Sequence, residues 1–370
     1  MNILVFSWRD PKHPLSGGAE QVMHEHMKGW VESGHKITLF SSYVNGLPKE
    51  EVLDGIKIIR SGKQLVGVQI NAFFWYLFRE HDKFDLVVDQ FHGLPFFTPI
   101  YVRIPKLAVI QEVTGNVWFL NHLPKPFNWI IGLAGYVTEP IYFWFYRGVQ
   151  FMTGSNSAKE DIIKMGIPAK NIHIIPHGVI IPKLKISRKK EKIKTIVFLG
   201  ALARDKGIED ALRVFAILDK KGKFNFWVIG KVGKDYDTHL NDLCKQLGIY
   251  EKVKFWGFVS QKEKFELLAK SHVLVNPSVR EGWGLVNIEA NSMETPVVAY
   301  NSPGLVDSVK DEVSGVICKE NTPLELASNV DRILSSSEEY GKLQIGALKW
   351  SRNFTWKKAR KESIELIESL

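Results

Sequence analysis

Residues 276–290 read Asn276-Pro277-Ser278-Val279-Arg280-Glu281-Gly282-Trp283-Gly284-Leu285-Val286-Asn287-Ile288-Glu289-Ala290. They follow Ser271-His272-Val273-Leu274-Val275, a short apolar run with the character of a buried parallel strand. Pro277, Gly282 and Gly284 end that strand and hold off a helix until about Leu285. From Leu285 to Met293 the pattern is helical, with Leu285, Ile288 and Met293 free to pack inward. A strand, a glycine-bearing turn and a helix N-terminus gather unpaired backbone N–H groups and attract anions. The amides of Gly282, Trp283, Gly284 and Leu285 are therefore candidates to hold a phosphate. Glu281 would face what lies beyond it, and Glu289 could accept hydrogen bonds from ribose hydroxyls. Carboxylates around such a turn are also ordinary solvated or capping residues, so spacing alone leaves both readings open.

The stretch belongs to an α/β series. Strands are expected at Thr195 to Gly200, Phe224 to Ile229, Val253 to Val259 and Pro296 to Ala299, with an amphipathic helix from about Ile208 to Leu218. An earlier series opens with a strand at Asn2 to Ser7, a helix from about Glu20 to Ser33 and a strand at Lys36 to Phe40. Further strands are expected at Ile56 to Ile59, Asp85 to Val88 and Leu107 to Ile110, with Gln150 to Thr153 as the last of that half. Ser155 or Ser157 caps the helix that follows. The loop Ser16-Gly17-Gly18-Ala19-Glu20 lacks the Gly-x-Gly-x-x-Gly spacing of a dinucleotide fold. Gly17 and Gly18 read as a flexible turn or as a close approach to a ligand. His92 and Gln111 fall at carboxyl ends of strands, where ligands of open α/β sheets collect.

Composition bounds the rest. A chain of 370 residues, 45% hydrophobic and 24% charged, suits a soluble globular protein of two domains. No apolar run reaches the ~18–20 residues that span a bilayer, and the chain enters its first strand with no leader-like segment. Cys244 and Cys318 have no metal-ligand spacing, so a reduced, cytoplasmic setting without a metal site is expected. A net charge of +9 implies anionic company: nucleotide phosphate, nucleic acid or anionic lipid. No nucleic-acid reading element accompanies that charge. Residues 118–147 are rich in aromatic rings, Trp118, Trp129, Tyr136 and Trp144 among them. Core packing between helices is the first expectation for them, an acceptor groove or a lipid-touching surface the second. The basic run Lys183 to Lys194 reads as a solvated linker, which sets domains at 1–182 and 183–352.

The phrases Glu-Gly-Trp-Gly-Leu at 281–285, Thr-Pro-Val-Val at 295–298 and Gly-Gly-Ala-Glu at 17–20 resemble the large retaining glycosyltransferase family 4. In that family two glutamates separated by seven residues mark the donor site, as Glu281 and Glu289 are here. The resemblance implies a GT-B fold, two Rossmann-like domains with parallel sheets facing across a cleft. Its first domain binds the acceptor, its second binds the donor, and a last helix at 353–370 returns to the first. It implies a metal-independent transfer, without cofactor, of a hexose-type sugar from a nucleotide-diphosphate sugar, UDP- or GDP-linked. The acceptor would be a glycan or lipid-linked hydroxyl; the net charge and the aromatic stretch, read beside it, allow peripheral contact with an anionic membrane at its inner face, with no nucleic-acid partner. Glu281, Lys206, His92 and Gln111 would carry the chemistry. Gly17, Gly18, Arg204, Lys206, Lys231, Gly257, Phe258, Val259, Glu281, Gly282, Trp283, Gly284, Leu285 and Glu289 would hold the donor. The chain departs from the pattern at Ala201, where relatives carry arginine, at Gln111, where many carry histidine, and at Met293-Glu294, often Cys-Gly. An epimerase on the same scaffold and a non-catalytic nucleotide-binding homologue are the alternatives.

Overall fold

The computed structural model describes every residue except 65, 92, 121–122, 181–185 and 234–235. The chain divides into two compact units, Met1–Gly178 with Trp356–Leu370, and Val179–Thr355. The expected linker falls partly on 181–185, outside the described residues.

The first unit is built on a sheet of eight strands among the described residues: β1 (Asn2–Ser7), β2 (Lys36–Ser41), β3 (Glu50–Leu53), β4 (Ile56–Arg60), β5 (Leu86–Gln90), β6 (Lys106–Val109), β7 (Gln150–Thr153) and β8 (Ile172–Ile174). Their order is β3-β4-β2-β1-β5-β6-β7-β8, parallel except for β3 against β4. Helices α1 (Gly18–Glu32), α2 (Val66–Phe78), α3 (Thr98–Tyr101), α4 (Phe127–Phe145) and α5 (Asn156–Lys164) connect the strands. Alternation along the strands sends successive side chains to opposite faces. Ile3 and Val5 meet α1 on one face, whereas Leu4 and Phe6 meet α2 on the other. Ser155 caps α5, its hydroxyl accepting the Ala158 amide at 3.1 Å. The strand β8 corrects the expectation that β7 is the last: Ile172 to Ile174 pairs in parallel with Phe151 to Thr153.

The second unit carries a six-stranded parallel sheet, order β11-β10-β9-β12-β13-β14. Its elements are β9 (Lys194–Leu199), α6 (Ile208–Asp219), β10 (Phe224–Ile229), α7 (Tyr236–Gln246), β11 (Val253–Gly257), α8 (Gln261–Lys270), β12 (Val273–Asn276), α9 (Leu285–Ser292), β13 (Val297–Ala299), α10 (Leu305–Ser308), β14 (Gly315–Ile317), α11 (Pro323–Ser335) and α12 (Ser337–Ser351). Apolar runs buried on both faces make β9, β10, β12 and β13 interior, whereas β11 is an edge strand, half-buried or exposed along its length. The basic run before β9 is not simply solvated. Lys190 Nζ donates to Thr295 Oγ1 at 2.7 Å, and burial pushes that ammonium down to about 7.

The last helix, α13 (Trp356–Glu368), packs on α1. Arg360 pairs with Glu25 at 2.5 Å and with Glu32 at 2.8 Å, while Ser363 Oγ receives Trp30 Nε1 at 3.1 Å. Gly29 leaves room for Arg360, because a side chain there would run into it.

Candidate functional site

In the second unit the turn after β12 is fixed from below by side-chain amides. Asn276 Nδ2 donates to Asn287 Oδ1 at 2.8 Å, and Asn287 Nδ2 donates to Ser308 Oγ at 2.9 Å. Both asparagines are buried, so this short relay locks the end of β12 to α9 and α10. Gly284 enters α9 at φ +78, the left-handed region where a Cβ is strained, and a side chain there would strike Ser308 and Asn287. The helix therefore starts as expected at Leu285, with its first amides lacking intrahelical acceptors. Trp283 is 6% exposed and lies edge-on to Phe354 at 5.0 Å, so only its backbone is available at the turn.

Lys206 and Glu281 come together here. Lys206 Nζ lies 3.1 Å from Glu281 Oε1 and 3.4 Å from the Arg280 carbonyl. The loop after β9 is stitched to the turn by backbone: Val279 N donates to Asp205 O at 2.9 Å. Ser278 Oγ sits 3.2 Å from Glu281 Oε1 and 3.1 Å from Asp205 O, within reach of both with its one proton. Two glycines make the closeness possible. Gly207 (φ +72) would carry a side chain into the Pro277 carbonyl, and Gly304 (φ +78) into the Glu281 carbonyl. A cation, a carboxylate and a helix N-terminus thus share one corner. That corner suits an anionic group whose other end bears hydroxyls.

The carboxyl ends of β9, β10 and β11 form bare backbone beside it. Gly200 N donates to Ile229 O at 3.0 Å and Gly230 N to Gly257 O at 2.9 Å, and a side chain at Gly230 would strike Gly200. Lys231 Nζ stands 4.4 Å from the centre of the Phe258 ring, which is 75% exposed. Val259 follows that ring, half-buried. Arg204 is displaced from the corner: its side chain is 65% exposed, 3.8 Å from Glu209 and over the Tyr236 ring. Glu289 is already engaged, its Oε1 accepting from Lys264 of α8 at 2.6 Å. Lys264 and Ser278 were invisible as partners in the sequence, since nothing in spacing ties residue 264 to residue 289.

In the first unit, Gly17 is the N-cap of α1 and Gly18 its first residue, so the helix starts two residues before the expected Glu20. Gly17 N donates to Glu20 Oε2 at 2.7 Å, and Glu20 Oε1 meets Arg9 Nε at 3.0 Å. Gln111 has a partner, His177: its Oε1 accepts from His177 Nε2 at 2.5 Å. Burial pushes His177 down to about 3, so it is neutral and carries the proton on Nε2 in this bond. Gln111 Nε2 is left as a buried donor with no partner among the described residues. His92 lies outside the described residues. In the sequence His177 stands in Ile175-Pro176-His177-Gly178, a proline–glycine turn after an apolar run that gives no hint of a partner at residue 111.

The aromatic stretch corrects the core-first expectation. Trp129, Trp144 and Tyr136 are 60%, 57% and 48% exposed, and Phe143 and Tyr146 are the rings of α4 and its cap that enter the core. No helix among the described residues is long and apolar enough to cross a membrane.

Two families match the chain in tandem: Glycosyltransferase Family 4 over residues 16–181 and Glycosyl transferases group 1 over residues 181–350. An uncharacterized glycosyltransferase of Methanocaldococcus jannaschii is 33% identical over 359 residues, covering 90% of this chain and 89% of that protein. Among solved structures, sucrose-phosphate synthase from Thermosynechococcus elongatus superposes with a TM-score of 0.81 at 16% identity, over 100% of this chain and 98% of that one. Anabaena HepE in complex with UDP and glucose gives 0.75 at 16% identity, over the full length of both. The chain belongs to glycosyltransferase family 4, with the GT-B fold. It is an enzyme of the glycosyltransferase class.

Proposed function

We propose that this glycosyltransferase moves a hexose-type sugar from a nucleotide-diphosphate sugar, UDP- or GDP-linked, to a hydroxyl of a glycan or lipid-linked acceptor, with retention of anomeric configuration. The observation that carries the reading is the 3.1 Å approach of Lys206 Nζ to Glu281 Oε1 beside the first turn of α9. In this reading the diphosphate takes the amides of residues 282–285, and Lys206 neutralises its growing charge as the C–O bond loosens. Lys206 fills the role of a divalent cation, with no resident cofactor. Glu281 turns from Lys206 to the sugar hydroxyls, and Glu289, oriented by Lys264, receives the ribose. Gly257, Phe258 and Val259 border the base with Lys231. Gln111, held by His177, offers its amide N–H, unpartnered among the described residues, to a sugar hydroxyl. The acceptor hydroxyl enters on the face the diphosphate leaves and passes its proton to a phosphate oxygen, so no protein nucleophile is used. Residues 1–182 would take the acceptor and 183–352 the donor, on the cytoplasmic side at the membrane's inner face. The HepE structure with UDP and glucose supports the donor class.

A thermal-shift panel of UDP-, GDP-, ADP- and TDP-sugars, followed by transfer assays with the stabilising donor, tests it. One donor should stabilise the protein and yield an α- or β-linked product matching the donor's own anomer by NMR. Release of an epimer without acceptor, or binding without turnover with any acceptor, would replace the proposal with one of its two alternatives.

A further inference from the structure

Helix α4 is built inside out. Its single charged residue, Glu139, is 1% exposed. The Glu139 carboxylate accepts the Thr114 and Gly115 amides at 2.8 Å and Trp118 Nε1 at 3.1 Å. The buried stripe is Gly132, Gly135, Glu139 and Phe143, and the two glycines admit the rings of Phe119 and Trp118 against the helix. What points outward is apolar: Trp129, Leu133, Val137, Ile141 and Trp144 are each more than half exposed. A helix at a water surface turns its apolar stripe in and its charged side out. This one does the reverse.

Helix α2 repeats the inversion. It has no charged residue, buries Val68, Gln69 and Ala72, and presents Val66, Ile70, Phe74, Leu77 and Phe78 outward at helical spacing. The two helices lie on one face of the sheet, since Val68 packs with Val87 and Phe143 with Ala108, side chains on the same side of paired strands. Helix α3 bridges them. Tyr101 is edge-on to Phe73 at 5.0 Å, and Phe97 is edge-on to Tyr142 at 5.5 Å. Asp89, buried beneath, receives Tyr146 Oη at 2.5 Å and Thr98 Oγ1 at 2.9 Å, pinning α3 to the end of α4. The result is one broad apolar face with aromatic rings throughout.

Charge selects its occupant. The exposed positions of the three helices carry none, whereas basic residues mark their ends: Lys63 and Arg79 around α2, Arg103 after α3, Lys125 and Arg147 around α4, all exposed. Glu80 and Asp82 offset only the Arg79 corner. A second copy would bring the same basic ends against themselves across a two-fold axis. Anionic headgroups neutralise them while the rings enter the headgroup boundary. We propose that the α2–α3–α4 face inserts into an anionic phospholipid surface, anchoring the first unit on the membrane without spanning it. The proposal names the contact surface of the reading above, but it stands apart from catalysis, and its test uses no donor.

The experiment is vesicle flotation of the full chain with phosphatidylglycerol–phosphatidylcholine vesicles and with phosphatidylcholine alone. The protein should float with the anionic vesicles and much less with the neutral ones. Brominated lipid should quench its tryptophan emission. Phe74→Glu combined with Trp129→Glu should weaken binding at least about tenfold, two charges opposing apolar insertion. Ile345→Glu, a still more exposed apolar site in the second unit, should change nothing. Unquenched protein remaining at the bottom of the gradient overturns the proposal. So does equal loss in the control variant, or a lipid-independent dimer that the double variant dissolves.

Discussion

Replacing Lys206 by methionine keeps the length and apolar stem of the side chain and removes only its charge. The Nζ–Oε1 separation of 3.1 Å corresponds to about 5 kcal/mol between unit charges at an effective dielectric of ~20. Both side chains keep about a quarter of their surface in water, 24% and 22%, so the net contribution of the pair to folding is about 1 kcal/mol or less. That moves the melting temperature of a unit this size by about 2–4 °C. Losing one preorganised partner of the leaving diphosphate costs far more, about 3–4 kcal/mol, or ~10²–10³ in rate. The Lys206→Met protein should therefore melt within a few degrees of the parent while kcat falls at least about a hundredfold. Initial rates of nucleoside-diphosphate release with the donor found by thermal shift, beside a melting curve on the same sample, provide the assay. Unchanged kcat in a folded variant would refute the assignment. A large fall in melting temperature would show that the lysine is structural.

Glu281→Gln should slow transfer by about the same factor, because an amide serves both Lys206 and sugar hydroxyls poorly. Its nucleotide affinity should stay within a few-fold, and calorimetry with the free nucleotide separates the two effects. Gly304→Ala forces a side chain at φ +78 into the Glu281 carbonyl and should cost about 1–3 kcal/mol by urea titration, with activity falling as the turn shifts. His26 and His177 are held near 3, chiefly by burial, against an ordinary 6.5. Below 6.5 the unfolded chain takes up protons that the folded unit refuses, so their stability is fully present above about pH 7 and drains away as pH falls. At pH 5 the loss is about 2 kcal/mol per histidine. Asp89, pushed up to about 6 by burial, works the other way and returns about 1 kcal/mol at pH 5. The first unit should thus be about 3 kcal/mol less stable at pH 5 than at pH 7.5; urea midpoints that stay level or rise on acidification would contradict this.

Much of the second unit was legible because its strands are continuous apolar runs and its turns are marked by glycine and proline. The start of α9 at Leu285 follows from Gly284, a residue only the left-handed region requires there. The β3–β4 hairpin was missed although Asp54-Gly55, at φ 50 and 81, is a hairpin signal, because Glu50-Glu51-Val52-Leu53 lacks clean alternation. The partners of the site were not legible at all. Lys264 to Glu289, His177 to Gln111 and Ser278 to Glu281 are products of tertiary packing, and local pattern says nothing about them. The orientation of α2 and α4 was likewise hidden. Helices apolar on every side give no stripe from which to tell inside from outside; the lone Glu139 was the available hint, and it points inward.

The most direct test of the proposed chemistry is calorimetric titration of the full chain with nucleotide-diphosphate sugars in the presence of a metal chelator. One donor should bind with a single site per chain, and Lys206→Met should weaken the diphosphate form at least about tenfold while leaving the monophosphate nearly unchanged. Failure of every donor to bind, or equal weakening of monophosphate and diphosphate, would contradict a diphosphate site at Lys206 and the first turn of α9.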